Sequence, residues 1–316
     1  MERCIAIVIV NWNSGPLLAH CIRSIGAYHS GLVEHVVVID NASADESLAM
    51  LPGAGDVPVP LRVVRNDVNT GFAAACNQGA ALTNSKYLLF LNPDAELMND
   101  SLRAALEYLE SPDHRDVGVV GIQLEGEDGN VARSCARLPA PARLLAYSLG
   151  INRLRPFRSW ATRMEEWPHD CTRIVDQVIG AFFFTRRSVF DLLAGFDERF
   201  FVYYEEVDYS ARMKAHGYHS VYLAGVRARH VGGGSSRNIK AKRLFYSLQS
   251  CLLYACKHFK PVGRWVTIAG LLGLEPVARL IFALLARSRS DFANTLSAYK
   301  MLYGALPQIL ARAGKP

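Results

Sequence analysis

Residues 88–97 read LLFLNPDAEL. Four apolar side chains in succession are the pattern of a strand covered on both faces. An amide, a proline and an aspartate follow. An unpaired buried charge is costly, so packing alone gives no reason for such a strand to close on Asp94. Either Asp94 caps a following helix or it faces a ligand.

Working outward, the same strand type recurs: CIAIVIV (4–10), HVVVID (35–40), LRVVR (61–65), KYLLFL (86–91) and VGVVGI (117–122). Helical stretches are expected between them at 17–28, near 45–50, at 72–82 and at 102–109. Continuously apolar strands alternating with helices predict an α/β domain, a mostly parallel sheet with helices on both faces. Ligands bind such sheets beyond the carboxyl ends of the strands, where Asp40 and Asp94 both fall. Residues 131–176, rich in arginine and proline and without a period, read as a long excursion of the functional or disordered kind. VIGAFFFTRR (178–187) returns to a strand. A helix is expected from Glu205 to His216, a last strand at 220–225, and a glycine-rich loop in RHVGGGSS (229–236).

The seven cysteines form no C-x-x-C pair, as expected of reduced, mostly buried thiols in a cytoplasmic protein. The apolar run at 4–10 lacks the flanks of a signal peptide. The formal net charge is +6, yet residues 227–316 hold 15 Lys/Arg against 2 Asp/Glu, while the first 226 carry 20 against 27. A basic tail on an acidic domain suits nucleic acid or a membrane surface. We divide the chain into an α/β domain (1–236) and a basic, apolar helical segment (237–316). In that segment RLFYSLQSCLLYACKHF (243–259) forms one helix. RWVTIAGLLGLEPVARLIFALLARSR (264–289) is strongly apolar but interrupted by Glu275, Pro276 and Arg279. Spanning a membrane would bury those charges. A helix pair in the interface would not, and Trp265 and the flanking arginines suit that depth. Alternatively these helices pack on the α/β domain or on a second subunit.

Neither G-x-G-x-x-G nor a Walker A sequence follows the first strand. The turns offer acceptors instead: Asn11, Asn13, Asp40, Asn41, Asn69, Asn92 and Asp94. Asp40 suits a base-edge N–H, or else a helix cap or Asx turn. Asp94 suits a divalent cation on a diphosphate. Glu205, Glu206 and Asp208 open a helix, where the dipole favours negative charge, but beside Phe200–Tyr204 an apolar setting can also raise a carboxylate toward general-base range. Arg212, four residues after Asp208, suits a helix ion pair. His230, before three glycines, is a structural residue or a ligand for a manganese-like ion.

In this order VIVNWNSG, VVVIDNAS, NTGFAAACNQGA, LFLNPDAEL, the long GAFFFTRR…KAHGY stretch and HVGGGSS resemble the family 2 glycosyltransferases of the GT-A fold, and most of all their rhamnosyltransferase-like branch. The resemblance covers residues 4 to about 236. It implies that Asp40 contacts the nucleobase of a nucleotide-sugar donor. Asn11, Asn41, Asn92 and the 69–79 segment, with Asn69, Gly71, Phe72 and Asn77, line its pocket. Asp94 and His230 bind Mg or Mn at the diphosphate. EEVD stands where the family has E-D-x-D, which makes Glu206 the catalytic base, flanked by Glu205 and Asp208, with a glutamate in place of the usual aspartate.

The resemblance further implies an inverting displacement by an acceptor hydroxyl at the sugar's C1. The donor expected is dTDP-L-rhamnose, with UDP-sugars such as galactofuranose or N-acetylglucosamine donors as alternatives. The acceptor expected is a glycan, above all a polyprenyl-diphosphate-linked sugar of cell-envelope polysaccharide synthesis, met at the inner face of the membrane. The competing classes are a sugar nucleotidyltransferase, which would carry a basic glycine-rich loop where NWNSG has no Lys or Arg, and an inactive sugar- or lipid-binding relative. Nucleic acid is not the expected partner of the tail.

Overall fold

The computed structural model describes residues 3–53, 55–151, 161–232 and 239–314. The expected strands form where the apolar runs lie: β1 (Ile5–Asn11), β2 (Val33–Asp40), β3 (Leu61–Arg65), β4 (Tyr87–Leu91) and β6 (Val117–Glu125). Helices α1 (Leu17–His29), α2 (Phe72–Ala81) and α3 (Ser101–Glu110) connect them. Residues 45–50 form turns rather than a helix. A short strand, β5 (Ala95–Leu97), follows Asp94 directly. Asp94 therefore caps no helix; the next one begins at Ser101.

The 131–176 excursion contains β7 (Cys135–Ala136), α4 (Pro141–Ser148) and β8 (Arg173–Val175), and its residues 152–160 lie outside those described. Then come β9 (Gln177–Val178), β10 (Phe182–Arg186), α5 (Arg187–Leu192), α6 (Glu205–Ala215) and β11 (His219–His230). The last strand is longer than expected because its outer half pairs with β5 and β6. His230 thus stands on a strand end. Gly233–Ser236 of the glycine-rich loop lie outside the described residues.

Among the described residues the main sheet has nine strands, ordered β3-β2-β1-β4-β10-β6-β11-β5, with β8 beside β11. The β1–β4 strands and the β6/β11 pair run parallel. β10 lies antiparallel between β4 and β6 and joins the two halves. Core residues from α1 and α3 cover one face of the sheet and those from α2 and α6 the other.

The C-terminal segment holds α7 (Lys240–His258), α8 (Pro261–Ala269), a π-helical turn (Gly270–Leu274), α9 (Glu275–Leu285) and α10 (Arg289–Ala313). Helix runs on through Pro276 over Pro261–Leu285, 25 residues that include an 18-residue stretch of mean hydropathy 1.9, long and apolar enough to cross a membrane. Proline removes one helical donor and crowds the carbonyl four residues back, and the π-turn widens the backbone there. Beside the donor that Pro276 lacks, the Leu272 carbonyl accepts from the Tyr303 hydroxyl at 2.5 Å and the Leu271 carbonyl from the Tyr299 hydroxyl at 3.2 Å. Glu275 is buried and pairs with Arg279 at 2.7 Å and with the Ser148 hydroxyl.

Candidate active site

At the carboxyl ends of β1, β2 and β4 lies a cavity of about 340 Å³, lined by Trp12, Asn41, Asn69, Gly71, Phe72, Asn92, Asp94, Phe201, Tyr203, His230, Lys242, Arg243 and Tyr246 among others. Asn41, at the end of β2, fixes its rim. Its amide donates to Gly71 O at 3.0 Å, and its oxygen accepts from Asn66 and Thr70. Gly71 has φ +93°, and a Cβ there would meet Phe201 O at 2.5 Å. Only glycine lets the start of α2 approach residue 201 so closely, and the Phe72 N–H donates to that same oxygen at 2.6 Å.

Asp94 and His230 meet because β5 pairs antiparallel with β11, opposing His230 to Ala95. Asp94 Oδ1 lies 3.3 Å from His230 Nε2, which is 3.5 Å from Asn92 Nδ2. No group of three or more His, Cys, Asp or Glu gathers into a metal site among the described residues. One carboxylate and one imidazole fit a cation such as Mn²⁺ that takes its remaining ligands from diphosphate and water.

The acidic turn stands on strained backbone. Tyr203 and Tyr204 adopt φ +66° and +70° in succession, a left-handed conformation that costs bulky residues about 1–2 kcal/mol each. The surroundings hold them there. Ser250 Oγ of α7 donates to Val202 O at 2.9 Å, Phe201 stacks on Tyr246 at 4.8 Å, and Tyr204 meets Tyr254 at 5.7 Å. Two carboxylates follow. Glu205 is buried, and Glu206 is half-buried. One oxygen of each has no hydrogen-bond partner. Burial, reinforced by the charge of Glu206, pushes Glu205 well above the usual carboxylate range; burial also raises Glu206. Asp208 behaves oppositely. It is fully buried, but His258, Arg212 and Lys257 overcome the burial and hold its carboxyl below the usual range.

Glu206 lines a second, larger cavity of about 760 Å³, which meets the first at Tyr203 and Arg243. Its walls come from α4, the 161–166 segment, α6, α7 and the α8–α9 helix. Two concave sites meeting beside a raised carboxylate can hold two reactants, with a proton acceptor exposed to one of them.

The sequence profile of glycosyl transferase family 2 matches residues 6–191. The chain is a family 2 glycosyltransferase. An N-acetylglucosaminyl-diphospho-decaprenol L-rhamnosyltransferase of Mycobacterium tuberculosis is 26% identical over 292 residues, covering 87% of this chain and 92% of the relative. The rhamnosyltransferase WbbL of Escherichia coli K12 is 26% identical over 172 residues, 54% of this chain and 62% of its own. Among solved structures, the mannosyltransferase PcManGT of Pyrobaculum calidifontis, in complex with GDP-Man and Mn²⁺, superposes with a TM-score of 0.56 at 19% identity, over 99% of this chain and 86% of that one. Staphylococcus aureus TarS 1–349, in complex with UDP-GlcNAc, gives 0.53 at 14% identity, over 99% and 88%. These likenesses establish the GT-A architecture.

In this glycosyltransferase Asn41, Asn69, Gly71, Phe72, Asn92, Asp94 and His230 gather around the smaller cavity. Asn11, Asp40 and Asn77 do not line it. Asn11 Nδ2 donates to Asp40 Oδ1 at 2.7 Å, and the Ser43 N–H donates to Asp40 Oδ2 at 3.2 Å, closing the turn after β2. Asn77 clamps the 196–198 loop through Phe196 and Glu198. Glu205 and Asp208 line neither cavity. The expected Asp208–Arg212 pair forms at 2.8 Å, but Asp208 also binds Lys257 and His258 of α7 at 2.6 and 2.7 Å. The wall residues Trp12, Tyr203, Lys242, Arg243 and Tyr246 were not anticipated. Trp12 lies inside the quoted NWNSG motif. Lys242 and Arg243 belong to the basic tail, whose charge suggested a surface rather than a pocket.

Proposed function

We propose that this glycosyltransferase moves L-rhamnose from dTDP-rhamnose, with inversion, to a hydroxyl of a polyprenyl-diphosphate-linked sugar in cell-envelope polysaccharide synthesis. The observation that carries this reading is the place of Glu206, in the wall of the larger cavity beside its junction with the smaller one. The rhamnosyltransferase relative of Mycobacterium tuberculosis supports the sugar and the lipid-linked acceptor, because the match spans nearly the whole of both chains.

The donor occupies the smaller cavity, its diphosphate toward Asp94 and His230 and its ring toward Tyr203. Asn41 and Asn69 shape the nucleoside end, on a framework set by Asn11 and Asp40. The acceptor hydroxyl enters from the larger cavity and gives its proton to the Glu206 carboxylate as its oxygen bonds to C1. The C1–O bond to the diphosphate breaks, and that electron pair leaves with the nucleoside diphosphate. Holding both reactants in line lowers the barrier by several kcal/mol. A divalent cation held by Asp94 and His230 would neutralise charge on the leaving diphosphate. The enzyme works at the inner face of the cell membrane, against which the apolar outer face of α8–α9 lies.

The experiment is a donor panel of dTDP-rhamnose, UDP-galactofuranose and UDP-N-acetylglucosamine, each with and without a diphosphate-linked N-acetylglucosamine acceptor. Released nucleotide and the anomeric configuration of the product are measured. Acceptor-dependent release from dTDP-rhamnose with inverted product is expected. Release from a UDP-sugar alone reassigns the donor, and retained configuration removes the role given to Glu206.

A further inference from the structure

The far wall of the larger cavity is one face of the α8–α9 helix. Thr267, Leu271, Glu275 and Arg279 line it at every fourth position. The outward face of that helix is apolar: Val262, Trp265, Val277, Ile281 and Leu285 are all exposed, Leu285 by 75%. A single helix therefore separates an apolar outer surface from the cavity that holds Glu206.

The cavity's cations differ in what they already hold. Arg279 is paired with Glu275, and Arg133 donates to the Trp167 carbonyl. Arg163 and Arg243 also line the cavity, and the guanidinium of neither has a hydrogen-bond or ion-pair partner among the described residues. Two of the four acids in the wall are already committed, Glu166 to Arg137 and Glu275 to Arg279, leaving Glu165 and Glu206. Guanidinium groups bind phosphate oxygens through paired N–H donors.

We infer that Arg163 and Arg243 form an anion subsite of the larger cavity, which takes the phosphate or diphosphate of an amphiphilic acceptor. The acceptor's sugar points to Glu206 and its apolar chain leaves over the α8–α9 helix. A neutral glycan gains nothing from this pair of cations, whereas a lipid-linked saccharide carries its anion between sugar and chain, and the wall of this one cavity offers Glu206, the two arginines and the α8–α9 helix together. This assignment rests on the reading of Glu206 as the base on the acceptor side.

The test uses full-length enzyme and three N-acetylglucosamine acceptors: one joined to a short isoprenoid alcohol through a diphosphate, one through a monophosphate, and one as the neutral glycoside. Arg163→Gln is compared with Arg163→Lys and wild type; Arg163 is exposed, so the exchange leaves the core untouched. Loss of one charged hydrogen bond raises KM for the anionic acceptors about tenfold or more. KM for the neutral glycoside and for the donor stays within about twofold, and Arg163→Lys recovers most of the loss. Arg243 borders both cavities, so Arg243→Gln raises KM for donor and anionic acceptor together. The diphosphate and monophosphate arms tell which anion the subsite prefers. An equal rise with the neutral glycoside, or no rise with any acceptor, overturns the anion subsite while leaving the transferase reading intact. A wild type that uses none of the three acceptors, yet hydrolyses donor, overturns the lipid-linked acceptor and the subsite with it.

Discussion

His258 Nε2 lies 2.7 Å from Asp208 Oδ1. A carboxylate only accepts, so the proton lies on the histidine. The contact ties α7 to α6, and Lys257 reinforces it by bridging Asp208 and Asp197 at 2.6 Å each. Asp208 is thus a positioning residue that holds the acidic turn against α7. Removing one partner from a buried ion cluster costs about 3 kcal/mol, and Asp208→Asn is expected to lower unfolding stability by that order. Because the native carboxyl is held low, its contribution is complete above the ordinary aspartate range and is lost as pH falls through the depressed value. Denaturant melts at pH 7 and pH 3 check this: the gap between variant and wild type narrows in acid. A chain ending at residue 236 lacks Lys257 and His258, and it is expected to lose transfer activity.

Glu206→Gln keeps the side-chain volume and removes the base. It is expected to cut kcat by about 10²–10⁴ and to change donor KM by no more than a few fold, since the proton moves only in the transition state. Burial raises the Glu206 carboxyl, and a base works ionised. The wild-type rate therefore falls as pH drops through a pKa above the ordinary carboxylate value. A pH–rate profile flat down to pH 4 would remove Glu206 as the base.

Glu205 calls for the opposite result. Burial, reinforced by the charge of Glu206, raises its carboxyl well above the usual carboxylate range, and glutamine mimics the protonated acid. Glu205→Gln is expected to leave kcat within about threefold. A raised native pKa costs folding free energy that grows as pH climbs from the unfolded value toward the folded one. The variant should therefore gain stability over wild type at pH 8 and match it at pH 4. Equal melts at both values would place an ionised carboxylate at residue 205.

Asp94→Asn removes the charge of the diphosphate-side carboxylate and keeps its size. Metal-stimulated turnover is expected to fall by at least about a hundredfold, and excess chelator is expected to stop the wild type. Undiminished transfer in chelator would show that His230 and the cationic side chains of α7 neutralise the diphosphate unaided.

Val277, Ile281 and Leu285 lie on the outward face of α9. Exchanging all three for serine is expected to release the protein from anionic vesicles at 0.15 M salt, where wild type co-sediments. High salt weakens the wild-type attachment in part, because it screens the basic tail and leaves the apolar contact. Wild type remaining in the supernatant at low salt would leave this face as a packing surface for another chain.

The parallel half of the sheet was legible because strands buried on both faces write themselves as unbroken apolar runs, as in LLFL and VVVID. β10 has the same signature, which carries no sign of direction, so its antiparallel insertion was hidden. That Asp94 and His230 stand together was expected only through the family resemblance; the residues themselves do not show it, because their meeting depends on a three-residue strand too short to leave a pattern. Asn77 and Asp40 stand outside the cavity wall, and the sequence could not show it, because an amide or carboxylate suits a ligand and a loop clamp equally well and only the partners distinguish them. The left-handed tyrosines 203 and 204 leave no trace in composition, since glycine or asparagine would be expected there.

The placement of β10 has a consequence for synthesis. The strand neighbours of β6 are β10 and β11, both made later in the chain. At about 5–20 residues per second, Val117–Glu125 leaves the ribosome several seconds before its first strand partner at Phe182–Arg186. Throughout that interval an apolar strand with both edges open stands beside the finished β1–β4 unit, a template for misjoining with other chains. The nascent enzyme is therefore expected to depend on a chaperone between residues 125 and 186, and to aggregate when translation pauses there.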